Sequence, residues 1–505
     1  MNRVMQMLSR TKSGEPLKTI DPETMGNQKK KPNMILILLV FLPCIIVTLH
    51  LDNDIWFLLN SGRYVVQHGI PTIEPFTLHE NFSFLMQQWL SATIFWEIYS
   101  KLGAIGILAL VFLFFCAIVA VTYLLTWHIS GGNQIAAFIA TMITSAALKP
   151  VMVSRPIIFT LFILVCELYF VERFISSSKL RYLIPLPLFS ALLINLHAAM
   201  WPIQFVILLP YIIDAFRFKV LIIQGQGYPK RFFFPAIGLM FAAGFLNPYG
   251  WDAMTYVFRS YGYQEITMVL EMKPADINQV SGMLIFGLLF LILAIYMVKK
   301  ERKTRIRYVL LSLGTAVLAL SSVRSFSLYA ACGIFPLAYF LKDVTLPQSK
   351  IKTEKGVMRL RVVLIALVTL TVAGLLIQRV SAFDEDKETP TVVQAVNYLK
   401  EHESTEDMVL YTGYNEGGFV EYMGLKPYID PRAEVFVQKN NKTDDVMKEY
   451  YSLETGQIYY KTVLDKYQFT HILTSHDDVL YVYLPHDSDY QLIYEDSEYL
   501  IYRHR

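Results

Sequence analysis

A polytopic α-helical membrane protein with about eleven transmembrane helices and a small C-terminal α/β domain is the fold this 505-residue chain predicts. Three observations carry that expectation. The chain is 54% hydrophobic and only 17% charged, with positive mean hydropathy, which places it with membrane proteins rather than soluble domains. Apolar runs able to form spans or half-spans recur near 34–50, 103–127, 134–148, 157–175, 182–198, 201–216, 232–247, 282–298, 308–323, 326–341 and 361–378. After Ala382 the composition turns charged and rich in Tyr, and no later run could span.

Residues 1–33 are polar and basic, ending near Lys29-Lys30-Lys31, and read as a cytoplasmic tail. The first run carries no small-x-small cleavage site, so it reads as an uncleaved anchor. Residues 34–383 form the transmembrane part, with a first outer loop at 51–102. In that loop Ile55, Leu58, Leu59, Val65 and Val66 recur at helical spacing, with Asn60, Arg63 and Gln67 between them. This predicts an amphipathic helix in the membrane interface, anchored by Trp56 and Tyr64. Gly69 can end it in the left-handed conformation, and Pro71 prevents its continuation. A polar loop with Glu74, His79 and Glu80 follows, and a second helix from about Gln88 leads into the next span.

Basic residues concentrate in alternate loops, at 173–181, 217–231, 299–307 and 342–361, while the intervening loops hold few. The positive-inside rule puts those clusters and the N-terminus in the cytoplasm, and an odd number of spans puts the C-terminus outside. The expected location is therefore the cell membrane, multi-pass, with an extracytoplasmic domain at 384–505. Within that domain 391–402 and 462–467 read as helices, and 408–411, 470–474, 491–494 and 499–502 read as strands.

Oriented in this way, the unusual polar residues fall on one side. They are Asp52 and Asp54; Arg63; Glu74, His79 and Glu80; Gln88; Arg155 in SRP; Asn195 and His197 in NLH; and Asn247, Tyr249 and Asp252 in NPYGWD. Glu265, Glu271 and Lys273 lie on the long loop, and Arg324 lies in SSVRS. The C-terminal domain adds YNEGG at 414–418 and IDPRAE at 429–434, with Asp430, Arg432 and Glu434 alternating as on one strand face. Each has a plainer alternative. Asn195 and His197 could be helix-end polar groups, NPYG a simple turn, and Asp430, Arg432 and Glu434 partners of one another. Arg155 and Arg324 are isolated cations at outer span ends, where positive charge is disfavoured, which predicts a held anion.

Carboxylates at the membrane boundary beside such arginines suit sugar transfer from a lipid-linked phosphosugar to a hydroxyl. The leaving phosphate needs no protonated acid, so one carboxylate acting as general base suffices. Arginine stabilises the developing phosphate charge and can bind two of its oxygens. Asp54 opens the interfacial helix and can accept from its first amides as an N-cap, which would lower its basicity. Asp52 is therefore expected as the base, with Asp54 orienting the acceptor, the helix or a metal. Arg324 and Arg155 are expected at the donor phosphate. Asp52, Asp54 and His79 also leave room for a divalent cation, Mg or Mn, although their spacing is not diagnostic.

The DND element at 52–54, the stretch from GRYVVQHGIPTIEPFT to QQWL, then NLH, NPYG, Arg324 and IDPRAE resemble the GT-C superfamily of integral-membrane glycosyltransferases, in a poorly characterised bacterial branch. The resemblance spans nearly the whole chain in architecture. It implies a first-loop essential aspartate, a juxtamembrane helix, and an inverting hexosyl or pentosyl transferase. Such enzymes use a polyprenyl-phosphate sugar as donor and a cell-envelope glycan, lipid or protein as acceptor. Arg63, Glu74, His79, Glu80, Gln88, Asn195, His197, Asn247, Tyr249, Asp430, Arg432 and Glu434 are its expected acceptor-side contacts. Other partners are membrane lipids, and no nucleic acid is expected. A lipid-linked glycan polymerase, ligase or transporter, or a noncatalytic glycan-binding subunit, is the alternative. A transporter would place ionisable groups mid-span, whereas here they gather at one face.

Overall fold

The computed structural model describes residues 34–47, 50–220, 222–260, 269–298, 304–344 and 383–505, with isolated positions between 363 and 381. The expected tail at 1–33, Glu265 and most of the run at 361–378 lie outside the described residues. Helices dominate. Three of them are long and apolar enough to cross a bilayer: Trp89–Ile129, Gln134–Val151 and Val280–Met297. Shorter apolar helices lie beside them, at Pro185–Leu196, Ile203–Asp214, Lys230–Ala243 and Ile306–Ser321.

The expected count of about eleven spans does not follow from helix length among the described residues. The first run is broken into Met34–Leu39 and Leu42–Ile46, with Pro43 at the start of the second piece. The run at 326–341 is divided into Phe326–Leu328, a π turn at Tyr329–Gly333 and Leu337–Phe340, with Pro336 just ahead of the last. Hydropathy reads composition and is blind to these breaks. Conversely, the second helix starts at Trp89, where the sequence places it, and runs on past a non-helical Gly103 (φ 62°) to Ile129. Large apolar side chains such as Val280, Phe290 and Met297 stay exposed on the bundle, as lipid contact requires.

The interfacial helix Ile55–His68 ends as expected: Gly69 has φ 83° and its amide donates to the Val65 carbonyl. Its surroundings differ from the expectation. Trp56 is buried, packed edge-on against Phe419 and Tyr99 and tilted against Tyr422, so it anchors protein to protein, not protein to lipid. Tyr64 packs on Phe76 and His68. Gly62 allows the close approach to the long helix, since a Cβ there would collide with the Ala92 carbonyl.

Two short strands, β1 (Phe218–Val220) and β2 (Ile223–Gly225), pair antiparallel, and β3 (Thr304–Arg305) joins β2 in parallel. The C-terminal sheet has the order β4-β5-β7-β6, from Leu410–Tyr411, His471–Ser475, Tyr499–His504 and Tyr490–Glu495. β4 runs parallel to β5, and the remaining pairs are antiparallel. All four lie where the sequence predicts strands. Helices Val393–His402, Val446–Glu454 and Tyr460–Tyr467 accompany them. The core beneath this sheet also takes in Phe76, Phe82, Phe84 and Met86 of the first loop. Part of the first loop is thus built into the C-terminal domain.

Candidate active site

A turn at Asp52–Ile55 opens the interfacial helix, closed by the Ile55 amide on the Asp52 carbonyl at 3.0 Å. The Asp52 amide donates to Ser154 Oγ at 2.8 Å, which joins the turn to the loop before helix Ile157–Ser177. That loop presents Arg155. Its Nε donates to Asp52 Oδ1 at 2.7 Å and lies 3.2 Å from Asp54 Oδ2, and its Nη1 reaches Glu271 Oε2 at 3.2 Å. Arg155, expected at a donor phosphate, is instead held by three carboxylates. Glu271, the third of them, comes from the long loop.

The expected cap is absent. Asp54 already has helical dihedrals (φ −68°, ψ −12°), and its side chain makes no capping bond; its carboxylate faces Arg155. The Asp54 amide donates instead to Asp52 Oδ1 at 3.0 Å. Asp52 is thus the carboxylate tied down by hydrogen bonds. Burial pushes Asp54 up from 3.8 to about 7, against the attraction of Arg155 and Arg324 and with the help of Asp52 and Glu271. The premise that a cap lowers the basicity of Asp54 is not met. Arg324, exposed and close enough to act on Asp54, follows helix Ile306–Ser321. Asn53, between the two aspartates, donates to the Asn415 carbonyl at 2.7 Å, so YNEGG of the C-terminal domain borders the cluster. Burial, and then the Asp54 charge, raise the Tyr414 hydroxyl above the usual phenol range.

Other expected contacts serve to hold elements together. Arg432 is buried; it pairs with Asp430, Glu74 at 3.0 Å and Glu421 at 2.9 Å, and stacks over Phe76 and Phe84. Asp430 and Arg432 lie in irregular chain, with Glu434 in the turn Ala433–Phe436, so the expected strand face does not exist. Glu74 also accepts from Thr77 Oγ1 and from the Phe76 and Thr77 amides. His79 is buried, stacked on Phe82 4.7 Å away, and its Nε2 donates to the Tyr428 carbonyl at 2.7 Å. Burial lowers its pKa, and among the described residues it forms no metal-holding group with Asp52 and Asp54. Glu80 is exposed.

Arg63 donates to Asn60 and to the Tyr422 carbonyl and lies over the Tyr422 ring. Gln88 precedes the long helix without capping it, and the neighbouring Gln87 does the joining, donating to Glu434 at 2.7 Å while its carbonyl accepts from Ala198. Asn195 donates to the Ala191 and Leu246 carbonyls and accepts from Trp89. His197 Nδ1 meets Thr160 Oγ1 at 2.9 Å. Asn247 closes its own turn, and Tyr249 bridges the Pro71 carbonyl and the Met86 amide. Asp252 pairs with Arg259. Gln87 carried no sequence signal beyond being polar, and Glu271 none beyond its place on the outer loop.

No family model matches the chain, and no curated protein matches it. Solved structures do. The oligosaccharyltransferase of Archaeoglobus fulgidus, tethered to an acceptor peptide containing the NVT sequon, aligns with a TM-score of 0.54 at 12% identity. The alignment covers 88% of this chain and 69% of that one. ArnT from Cupriavidus metallidurans, bound to undecaprenyl phosphate, aligns with a TM-score of 0.51 at 9% identity, over 93% of this chain and 96% of its own. This chain has the GT-C fold. The Archaeoglobus enzyme is also known in complex with Zn and sulfate, with a TM-score of 0.50 at 12% identity over 87% of this chain and 68% of that one. In the present chain, no group of three or more His, Cys, Asp or Glu is arranged to hold a metal among the described residues.

Proposed function

We propose that this protein is a membrane glycosyltransferase that moves a sugar from a polyprenyl-phosphate donor to an acceptor hydroxyl at the cell envelope. The observation that carries the reading is the half-buried Asp54, raised to about 7 beside Asp52, Arg155 and Arg324 at the opening of the first-loop helix. Asp54 takes the acceptor proton as its oxygen attacks the anomeric carbon. The bond from that carbon to the phosphate oxygen breaks, and polyprenyl phosphate leaves with the electron pair. Attack opposite the leaving group inverts the anomeric configuration. GT-C folds bound to undecaprenyl phosphate and to an acceptor peptide support a lipid-linked donor and a separate acceptor.

Basic-loop asymmetry orients the site and the C-terminal domain outward. The test is transfer by the purified chain in vesicles of known orientation, supplied with polyprenyl-phosphate sugars. Transfer is expected only when donor and acceptor face the C-terminal domain. Absence of transfer with every such donor would reject the reading.

Arg324 is assigned to the donor phosphate because it is exposed and acts on Asp54. Arg324→Ala is expected to raise donor KM about tenfold or more, and Arg324→Lys, which keeps charge but loses the fork, to raise it less. Unchanged donor KM in the alanine variant would remove Arg324 from the site.

A further inference from the structure

Three carboxylates converge on one guanidinium. Arg155 Nε lies 2.7 Å from Asp52 Oδ1 and 3.2 Å from Asp54 Oδ2, while Nη1 lies 3.3 and 3.2 Å from the two oxygens of Glu271. Carboxylate oxygens of this number and charge are what a hard divalent ion seeks. Here a side chain takes them.

The guanidinium is also fixed by its backbone. The Arg155 amide donates to the Val153 carbonyl at 2.8 Å, and the preceding Ser154 hydroxyl receives the Asp52 amide. Asp52 Oδ1 receives both Arg155 Nε and the Asp54 amide. Arg155 thus shares an acceptor oxygen with the turn that starts helix Ile55–His68. A divalent ion entering the same oxygens would meet a fixed positive charge within a few ångströms, with the charge of Arg324 also acting on Asp54. His79, the one nitrogen ligand the sequence offered, is bound to Tyr428 instead.

We propose that Arg155 is the resident cation of the Asp52–Asp54–Glu271 cluster, holding the place a divalent metal would take, so that sugar transfer runs without metal. This rests on the transfer reading above, and it assigns Arg155 as a positioning residue that sets the two aspartates.

The test uses the full chain in lipid nanodiscs. Manganese titrated into wild-type protein and followed by electron paramagnetic resonance is expected to show no bound ion that Asp54→Asn removes. Transfer is expected to be unchanged by EDTA. Arg155→Ala is expected to lose at least tenfold in transfer and to regain part of it in millimolar methylguanidine, a rescue that a purely structural defect would not give. Should Arg155→Ala fail to fold, Arg155→Lys is expected to fold, to exclude manganese as the wild type does, and to keep part of the activity. Stoichiometric manganese binding abolished by Asp54→Asn, or loss of transfer in EDTA restored by magnesium or manganese, would overturn the proposal. The manganese titration reads it even if no donor is ever transferred, so its failure and failure of the transferase reading are separable.

Discussion

Asp54→Asn is expected to lower sugar transfer by about 10²–10⁴-fold, the range that a positioned general base contributes, while leaving donor binding near wild type. The substitution keeps the shape and removes the proton acceptor. Asp52→Asn is expected to cost less in the chemical step, because Asp52 serves to receive Arg155 and the Asp54 amide. A wild-type rate in Asp54→Asn with a dead Asp52→Asn would return the base to Asp52.

The pH dependence has a definite sign. A base must be unprotonated, so transfer is expected to rise with pH through about 7 and level off above it. Stability runs the other way. The folded value of Asp54 is raised from 3.8 to about 7, so the fold favours the neutral acid. That contribution is complete below about 4 and is lost as pH rises through about 7. Asp54→Asn should therefore melt higher than wild type at pH 8 and gain nothing at pH 4. Thermal unfolding of both proteins at the two pH values measures it.

The second large effect is expected at Arg432. One buried guanidinium pairs with Asp430, Glu74 and Glu421, which come from three different segments, and burial pushes Glu421 toward its neutral form. Removing it leaves buried carboxylates without a counter-charge, which costs about 3–5 kcal/mol. Arg432→Ala is expected to loosen the first loop from the C-terminal domain and to sensitise that domain to protease, with transfer lost as the loop shifts. Glu80→Ala, on the same loop but exposed, is expected to stay within about 0.5 kcal/mol. Equal protease resistance in Arg432→Ala and wild type would show that the clamp does not hold the two parts together.

The local features were legible in the sequence. Spacing of apolar residues marked the first-loop helix, Gly69 with Pro71 marked its end, and short apolar and Tyr-rich segments marked the four C-terminal strands. These depend on neighbours a few residues apart. The partners of the polar residues were not legible. His79 meets Tyr428 and Glu74 meets Arg432 across hundreds of residues, and a single sequence carries no trace of such pairing. The same blindness made Trp56 a lipid anchor, since an apolar stripe looks alike whether lipid or Phe419 covers it. At Asp54 the error was local: a residue already in helical conformation points its carboxylate away from the amides it was expected to cap.

Helix Ile306–Ser321 joins two charged sites of opposite character. At its start Arg307 is buried and bonded to both oxygens of Glu172 and to Asp214 and Gln226, a junction of three helices and the chain just after β2. Just beyond its far end stands Arg324. Sixteen residues of helix make an arm of about 24 Å. The far end is tied as well: the Ala275 amide donates to the Leu320 carbonyl, Ser322 Oγ to the Glu271 carbonyl and the Val323 amide to the Lys273 carbonyl. The cation that acts on Asp54 thus stands at the tip of a strut fixed at both ends, and the same loop that fixes the tip also supplies Glu271 to Arg155.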